Sequence, residues 1–528
     1  MNLFFVNVFF IVGLIQLSVG SGNKNTYRAA VVEYSPDIPF SDDIKIIYRK
    51  SVADYKHFIQ EAAKQNVDII VFPEDGLSTL NVPAKRNKIH SFATKIPNPN
   101  DKISPCNTPG FSEHLTNLSC EASANKIYVV VNLIEYVNCQ GEDGCPCDNS
   151  FYFNTNLVFD RNGVVIARYR KYNLFVEPGF DVTKQPEIVT FTTDFGVTFG
   201  MFICFDILFK EPAITLVKDK QVHDIIYSTA WFSELPFLTA IQTQAGWAYG
   251  NDVTVLASGY DNPNQRNVGS GIYVGRAGSI IEYFPLQRNN RLLVANVPKY
   301  PFKNTDQDIR KNSIQITEND DSQDDLVLFQ EDLSGYTSEI LTDTYENKLC
   351  NNDLCCNFEI KSTPLKEASY VYRAVVFSGQ RNYAHIVQAG TQVCGIVSCL
   401  KDTIESCGIR NKTFETGREF HSIKISGNFH QNENNVQWPS TVNTHFLPLD
   451  PLMFTYENKN KNIELSLNDD IRLDNLFTFA IYGRDYSHDQ HIPQTNHAEQ
   501  CNGIWTKSKI MFIFSVYFFY FSYDSINI

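Results

Sequence analysis

The chain has no excess of basic residues. Lys and Arg number 45 against 59 Asp and Glu in 528 residues, a formal net charge of −14. A surface of that sign repels a phosphate backbone, which excludes nucleic acid as a partner, and the acidity itself reads as ordinary solubility. Low-complexity segments and strong internal repeats are also missing, and no apolar run is long enough for a clear membrane-spanning helix. The clusters Cys145/Cys147 and Cys355/Cys356 lack a second Cys/His pair at finger-like spacing, so disulfides are favoured over metal. No histidine lies close to Cys204 in sequence; His223 is the nearest, so a Cys–His device would need a histidine brought in by the fold.

What is present points to an exported protein of at least two domains. The composition, 43% hydrophobic and 13% aromatic, supports large cores. The apolar stretch from Met1 to Leu17, followed by Ser18, Gly20, Ser21 and Gly22, reads as a signal peptide over residues 1–22 without a basic n-region; a membrane anchor is the alternative. Thirteen cysteines leave an even twelve once Cys204 is set aside, as a disulfide framework requires. Asn117-Leu-Ser and Asn411-Lys-Thr are glycosylation sequons. The aromatic tail Ile510–Phe521, within residues 501–528, reads as a GPI-anchor signal or, alternatively, as a buried strand.

Along the chain, Tyr27–Tyr34 and Asp68–Pro73 read as buried strands flanking a helix from about Asp43 to Gln65, a strand–helix–strand unit of an α/β domain. A helix over Phe111–Lys126 and a strand over Ile127–Ile134 follow. Arg161-Asn-Gly163 between two apolar runs predicts a hairpin. A strand ending at Cys204, a helix over Glu211–Lys220, a strand over Asp224–Thr229, a helix over Leu238–Tyr249 and further short strands complete a domain assigned to residues 23–305. Residues 306–337 read as an acidic linker, more solvated than functional. Residues 338–500 read as a smaller, mainly β domain stapled by cysteines.

Three chemically distinct groups stand at predicted strand exits: Glu74, Lys171 and Cys204. Together they suffice to cleave a carbon–nitrogen bond. Cys204 supplies a nucleophile active only as thiolate. Glu74 serves as general base and acid. Lys171, with the backbone N–H of Phe205, stabilises an oxyanion. Each residue alone has a bland reading, as a core cysteine or a solvated loop charge. Glu177, six positions after Lys171, is either a second carboxylate that holds the ammonium or a solvated residue before Pro178.

Phe72-Pro-Glu-Asp-Gly76, Tyr169-Arg-Lys-Tyr-Asn-Leu-Phe175 and Cys204-Phe-Asp206 occur in the order of the glutamate, lysine and cysteine motifs of the nitrilase superfamily. With Leu354-Cys-Cys356 and Val393-Cys-Gly-Ile-Val-Ser-Cys399, the chain resembles that superfamily's biotinidase/vanin branch. The resemblance implies an α-β-β-α sandwich, a Glu74–Lys171–Cys204 triad supported by Glu177, no metal or organic cofactor, secretion, and a GPI anchor if the protein is vanin-like. It further implies hydrolysis of a linear amide, pantetheine in vanins or biocytin in biotinidase. A non-catalytic ectodomain on the same fold is the rival reading. Asn173 departs from the histidine common in vanins, and Phe232–Glu234 and Gly259–Asn264 also differ. The chemistry is therefore more firmly implied than the substrate.

Overall fold

The computed structural model describes residues 25–491 apart from 39–42, 81, 84, 302–313, 317–323, 366–369, 412–416 and 460–461. The signal-peptide and GPI-anchor expectations lie outside the described residues. Among the described residues, no helix is long and apolar enough to cross a membrane.

The first half contains β1 (Thr26–Glu33), β2 (Ile69–Val71), β3 (Tyr128–Asn138), β4 (Ser150–Phe159), β5 (Val165–Arg170), β6 (Thr190–Thr192), β7 (Thr198–Ile203), β8 (Asp224–Thr229), β9 (Glu234–Leu235), β10 (Thr254–Gly259), β11 (Ser270–Val274), β12 (Gly278–Tyr283), β13 (Arg291–Pro298) and β14 (Ile314–Ile316). All but β9 form two sheets, ordered β13-β1-β2-β3-β4-β5 and β14-β12-β11-β10-β8-β7-β6. Strand alternation assigns the side chains to layers. Ala29, Val31, Ile69, Val71 and Val130 face the second sheet, packing with Met201, Ile203, Ile226 and Leu256. Ala30, Val32, Ile70, Val129 and Val131 point outward, onto Val52, Tyr55, Ile59, Leu115 and Leu118. Those five come from the helices Ile44–Lys64 and Glu113–Asn125. The first helix starts where Asp43 accepts a hydrogen bond from Lys45 N, and its buried face recurs at helical spacing. The helix Ala240–Asn251 covers the other sheet, completing the α-β-β-α sandwich.

Polar bonds cross between the two sheets. Tyr27 OH donates to Asp224 at 2.7 Å, and Ser228 Oγ donates to the Phe72 carbonyl at 2.8 Å. Strands β1, β2 and β3 are mutually parallel, as are β7, β8 and β10. β5, two reversals after β3, runs parallel to it. The chain therefore leaves β2, β5, β7 and β8 on edges where an α/β sheet collects its chemistry. Gly163 closes the β4–β5 turn at φ +71°, and a Cβ there would lie 2.3 Å from the Ser119 carbonyl oxygen.

The second half is all β. Its sheets comprise β15 (Phe329–Gln330), β16 (Thr337–Ile340), β17 (Thr344–Asn351), β18 (Leu354–Pro364), β19 (Val371–Tyr383), β20 (Val387–Cys399), β21 (Arg418–Gly427), β22 (Asn435–Asn443), β23 (Phe454–Lys459), β24 (Asn462–Leu467) and β25 (Leu476–Asp485). β16-β19-β20-β25-β22 and β17-β18-β21-β24-β23 form the two main layers, and the disulfide Cys356–Cys394 joins them. Further disulfides are Cys106–Cys120, Cys139–Cys145, Cys350–Cys355 and Cys399–Cys407; Cys147 is disulfide-bonded as well. Cys204 is the free cysteine among the described residues.

Two expectations need correction. The helix predicted over Glu211–Lys220 is an irregular turn over Lys210–Ile214 followed by only Thr215–Lys218, because Glu211 takes extended angles before Pro212. The acidic bridge is not simply solvated. Phe329–Gln330 pairs with Glu234–Leu235 of the first half, and Glu331 is buried against Arg381, its carboxyl pushed up to about 7 by burial. Charge pattern alone does not reveal a partner 50 residues away.

The halves meet where the helix Ala240–Asn251 lies on β22. A Cβ on Gly246 would sit 2.5 Å from the Pro439 carbonyl oxygen and 2.6 Å from Trp438 Cδ1. Alanine in a helix interior ordinarily gains about 0.5–1 kcal/mol over glycine, whereas overpacking typically costs about 1–3 kcal/mol. The contact here is with backbone and a buried indole, so overpacking wins. Gly246→Ala is expected to lower the melting temperature in calorimetry; an unchanged or raised one would show that the interface yields.

Candidate active site

Cys204 directly follows β7 and begins the 3₁₀ turn Cys204–Leu208. Its φ of +46° places a non-glycine residue in the left-handed region, a strain of about 1–3 kcal/mol that persists only where surroundings enforce it. Those surroundings are identifiable. Tyr227 OH donates to the Cys204 carbonyl at 3.0 Å, and Ile203 N donates to Asp206 Oδ2 at 3.0 Å.

Asp206 is the brace between the cysteine turn and the lysine loop. Its carboxylate also accepts from Tyr169 OH (2.7 Å), Asn173 N (2.9 Å) and Asn173 Nδ2 (2.8 Å). The three donors flank Lys171 on both sides. Asn173 Nδ2 also donates to the Glu211 carbonyl at 2.8 Å, so this departure from the family motif closes the loop onto the chain beyond Cys204.

Lys171 follows β5 and is buried between two carboxylates. Its Nζ donates to Glu74 Oε1 at 2.7 Å and to Glu177 Oε1. Burial alone would push the ammonium down; Glu177, then Glu74, outweigh it and hold it well above the usual lysine value. Asn154 Nδ2 donates to Glu74 Oε1 at 2.8 Å and to Glu177 Oε2 at 2.9 Å. The other oxygen of Glu74 accepts from Ala230 N at 2.9 Å, just beyond β8. Behind these groups, Asn132 Oδ1 accepts from Asp75 N and Asn132 Nδ2 donates to Asn154 Oδ1 at 2.7 Å. The carboxyl of Asp75 is pushed well above its usual value by burial and then by Glu74 and Glu177.

The structure thus brings Glu74, Lys171 and Glu177 into one ion cluster, and Cys204 lines the same small cavity of about 60 Å³. Burial and then Glu74 push the thiol well up, with Lys171, the Thr229 hydroxyl and the Ala230 amide working against them. The balance favours the protonated thiol over the thiolate. Phe205 follows in the turn, its ring packed on Phe175 and Phe209 at 5.0 Å each. Asn117 lies half-buried on the helix Glu113–Asn125, and Asn411, also half-buried, donates its N–H to Tyr370 OH; both are remote in sequence from the cluster. Among the described residues, no cluster of His, Cys, Asp and Glu has the geometry of a metal site.

Sequence reasoning did not single out Asn132 or Asn154. Their signal was a polar side chain inside an otherwise apolar strand run, Tyr128–Ile134 for one and the run before Phe159 for the other. In the sequence Asp206 stands out only as part of the cysteine motif.

Two outcomes follow from the brace and the amide. Asn154→Ala removes a donor shared by two carboxylates; kcat is expected to fall about ten- to a hundred-fold with little change in KM, on the order of one or two charge-assisted hydrogen bonds. A change confined to KM would contradict the role. For Asp206, burial raises the carboxyl from 3.8 to about 6 despite four donors. Across that window the folded protein holds a proton that the unfolded chain has released, so stability falls as pH rises. Urea unfolding should show the wild type losing stability relative to Asp206→Asn between those pH values; parallel curves would contradict the assignment.

With the geometry in place, comparison with known proteins gives a consistent result. The carbon-nitrogen hydrolase family model matches residues 28–245, and the Vanin C-terminal domain model matches residues 325–489. Vanin-like protein 1 of Drosophila melanogaster is 36% identical over 496 residues, covering 88% of this chain and 86% of that one. Pantetheinase of Canis lupus familiaris is 34% identical over 436 residues, 79% and 82% of the two chains. Human pantetheinase is 33% identical over 423 residues, 77% and 80%. Among solved structures, an amidase from Nesterenkonia sp. is similar at 16% identity and a TM-score of 0.38, over 55% of this chain and 98% of that one. The chain is a carbon–nitrogen hydrolase, and it belongs to the vanin branch of the nitrilase superfamily.

Proposed function

We propose that the protein is a secreted pantetheine hydrolase that works through a thioester on Cys204. The observation that carries this reading is the meeting, in one buried cavity, of the free thiol of Cys204 with the Glu74–Lys171–Glu177 cluster. Relatives named pantetheinase match more than three quarters of the chain and supply the substrate. The disulfides support secretion, because such bonds persist in oxidising compartments. Glycan attachment at Asn117 and Asn411 belongs to the same proposal, and an unchanged mass after glycosidase digestion would count against it.

The steps are as follows. Glu74 takes the Cys204 proton as sulfur attacks the amide carbonyl. The negative oxygen that forms is met by the Lys171 ammonium and the backbone N–H of Phe205. Collapse breaks the carbon–nitrogen bond, and Glu74 returns its proton to the departing amine. Water then enters, Glu74 takes its proton, and attack on the thioester releases the acid and restores the thiol. Glu177 keeps the ammonium aimed while Glu74 cycles. With Asn154 it lets Lys171 remain charged when Glu74 is momentarily neutral.

Purified wild-type protein is expected to release cysteamine from pantetheine, and Cys204→Ala to abolish release while being secreted normally. Turnover of biocytin and not pantetheine would overturn the substrate, and undiminished hydrolysis by Cys204→Ala would remove the thiol from the reaction.

A further inference from the structure

Two cavities meet at Cys204. The small one holds the ion cluster and has room for a few waters or a short amine. The other is about 440 Å³, and Phe175 and Phe232 line both. The catalytic half supplies one wall of the large chamber, with Phe205, Trp231 and Leu238. The facing wall comes from elsewhere in the chain: Gln330 of β15, and the tip of the β19–β20 hairpin from Asn382 to His385.

That hairpin is held in register with the nucleophile. Its Tyr383 ring packs edge-on against Phe205 at 5.6 Å, and its hydroxyl is 2.8 Å from Tyr482 OH. Arg381, buried two residues before Tyr383, pairs with Glu234 of the catalytic half at 2.5 Å. From the next strand but one, buried Arg484 donates from Nε to the Leu208 carbonyl at 2.9 Å, within the cysteine's own 3₁₀ turn. The wall and the thiol are parts of one hydrogen-bonded unit.

The tip is built for its side chains. Ile386 N donates to the Tyr383 carbonyl at 2.9 Å, and Ala384 and His385 have φ of +47° and +56°. A turn with both central residues left-handed favours Asn-Gly, yet it carries Ala-His here. The ring of His385 is fastened, its Nδ1 lying 2.9 Å from Asn382 Nδ2, and the side-chain Oδ1 of Asn382 accepts from His385 N at 2.9 Å. Both side chains are exposed at the chamber mouth.

We propose that this hairpin, through Asn382 and His385, is the specificity wall for the acyl arm of the substrate. It selects amides whose arm has an aliphatic body, for the aromatic wall, and hydroxyl or amide groups several atoms from the scissile carbonyl, for Asn382 and His385. The small cavity receives the amine, which leaves from beside Glu74. This deepens the pantetheine hydrolase reading and rests on it.

The test uses the full chain and two substrates with the same leaving amine: pantetheine, and N-acetylcysteamine, which lacks the long arm. His385→Gly removes the side chain where φ favours glycine, so folding is not put at risk; the double variant with Asn382→Ala removes both groups. The expected result is a loss of about ten-fold in kcat/KM for pantetheine, expressed in KM, the order of one or two hydrogen bonds. N-acetylcysteamine hydrolysis should stay within about two-fold of wild type. Equal losses on both substrates, or none on either, would overturn the proposal. If the wild type hydrolyses neither amide, the parent reading fails and takes this one with it; turnover of pantetheine with no selective loss sinks the wall alone.

Discussion

A single buried ammonium governs the architecture of the catalytic half. Lys171 is 2% exposed, and an isolated charge at such depth would cost several kcal/mol even after relaxation. It is tolerated because Glu74 and Glu177 flank it, and those two carboxylates are tolerated together because Lys171 and Asn154 lie between them. Four groups from four segments must arrive at once, on the exits of β2 and β5, within β4, and in the loop that follows β5. The two-sheet sandwich brings their backbones to one edge. The same low-dielectric setting that makes a missing partner expensive strengthens, in the proposed reaction, the pull of the ammonium on a developing oxyanion.

The second constraint is the position of the thiol relative to that cluster. Asp206 ties Ile203, Tyr169 and Asn173 to one carboxylate, so the cysteine turn and the lysine loop cannot move independently. Arg484 and Arg381 extend the same logic across the domain boundary, joining the second half to the cysteine turn and to Glu234. The β domain is in this sense part of the catalytic unit, since its sheet presses on the helix Ala240–Asn251 and its hairpin faces Cys204 across the large chamber.

Much of this was legible in the chain. Parallel strands covered on both faces read as continuous apolar runs, so β1, β2, β3, β7 and β8 stood out, and the residues at their exits followed. Asn154 was not legible in the same way, because an asparagine in a strand acquires meaning only when sheet register and a loop bring two carboxylates to it. Asp206 sat in view, but its four donors come from segments up to 37 residues away. The buried role of Glu331 was hidden for a related reason, since its cation arrives from β19. Local periodicity encodes layers well; it encodes polar partners poorly when they meet only in the folded state.

The central claim is that a neutral Cys204 thiol becomes an acyl-enzyme beside a charged Lys171. Rapid acid quench of the protein during pantetheine turnover, followed by peptide mass spectrometry, tests it most directly. The account predicts a pantothenoyl adduct on the peptide carrying Cys204, removed by hydroxylamine as a thioester is. Cysteamine release with no adduct at any quench time, or an adduct on another residue, would contradict it.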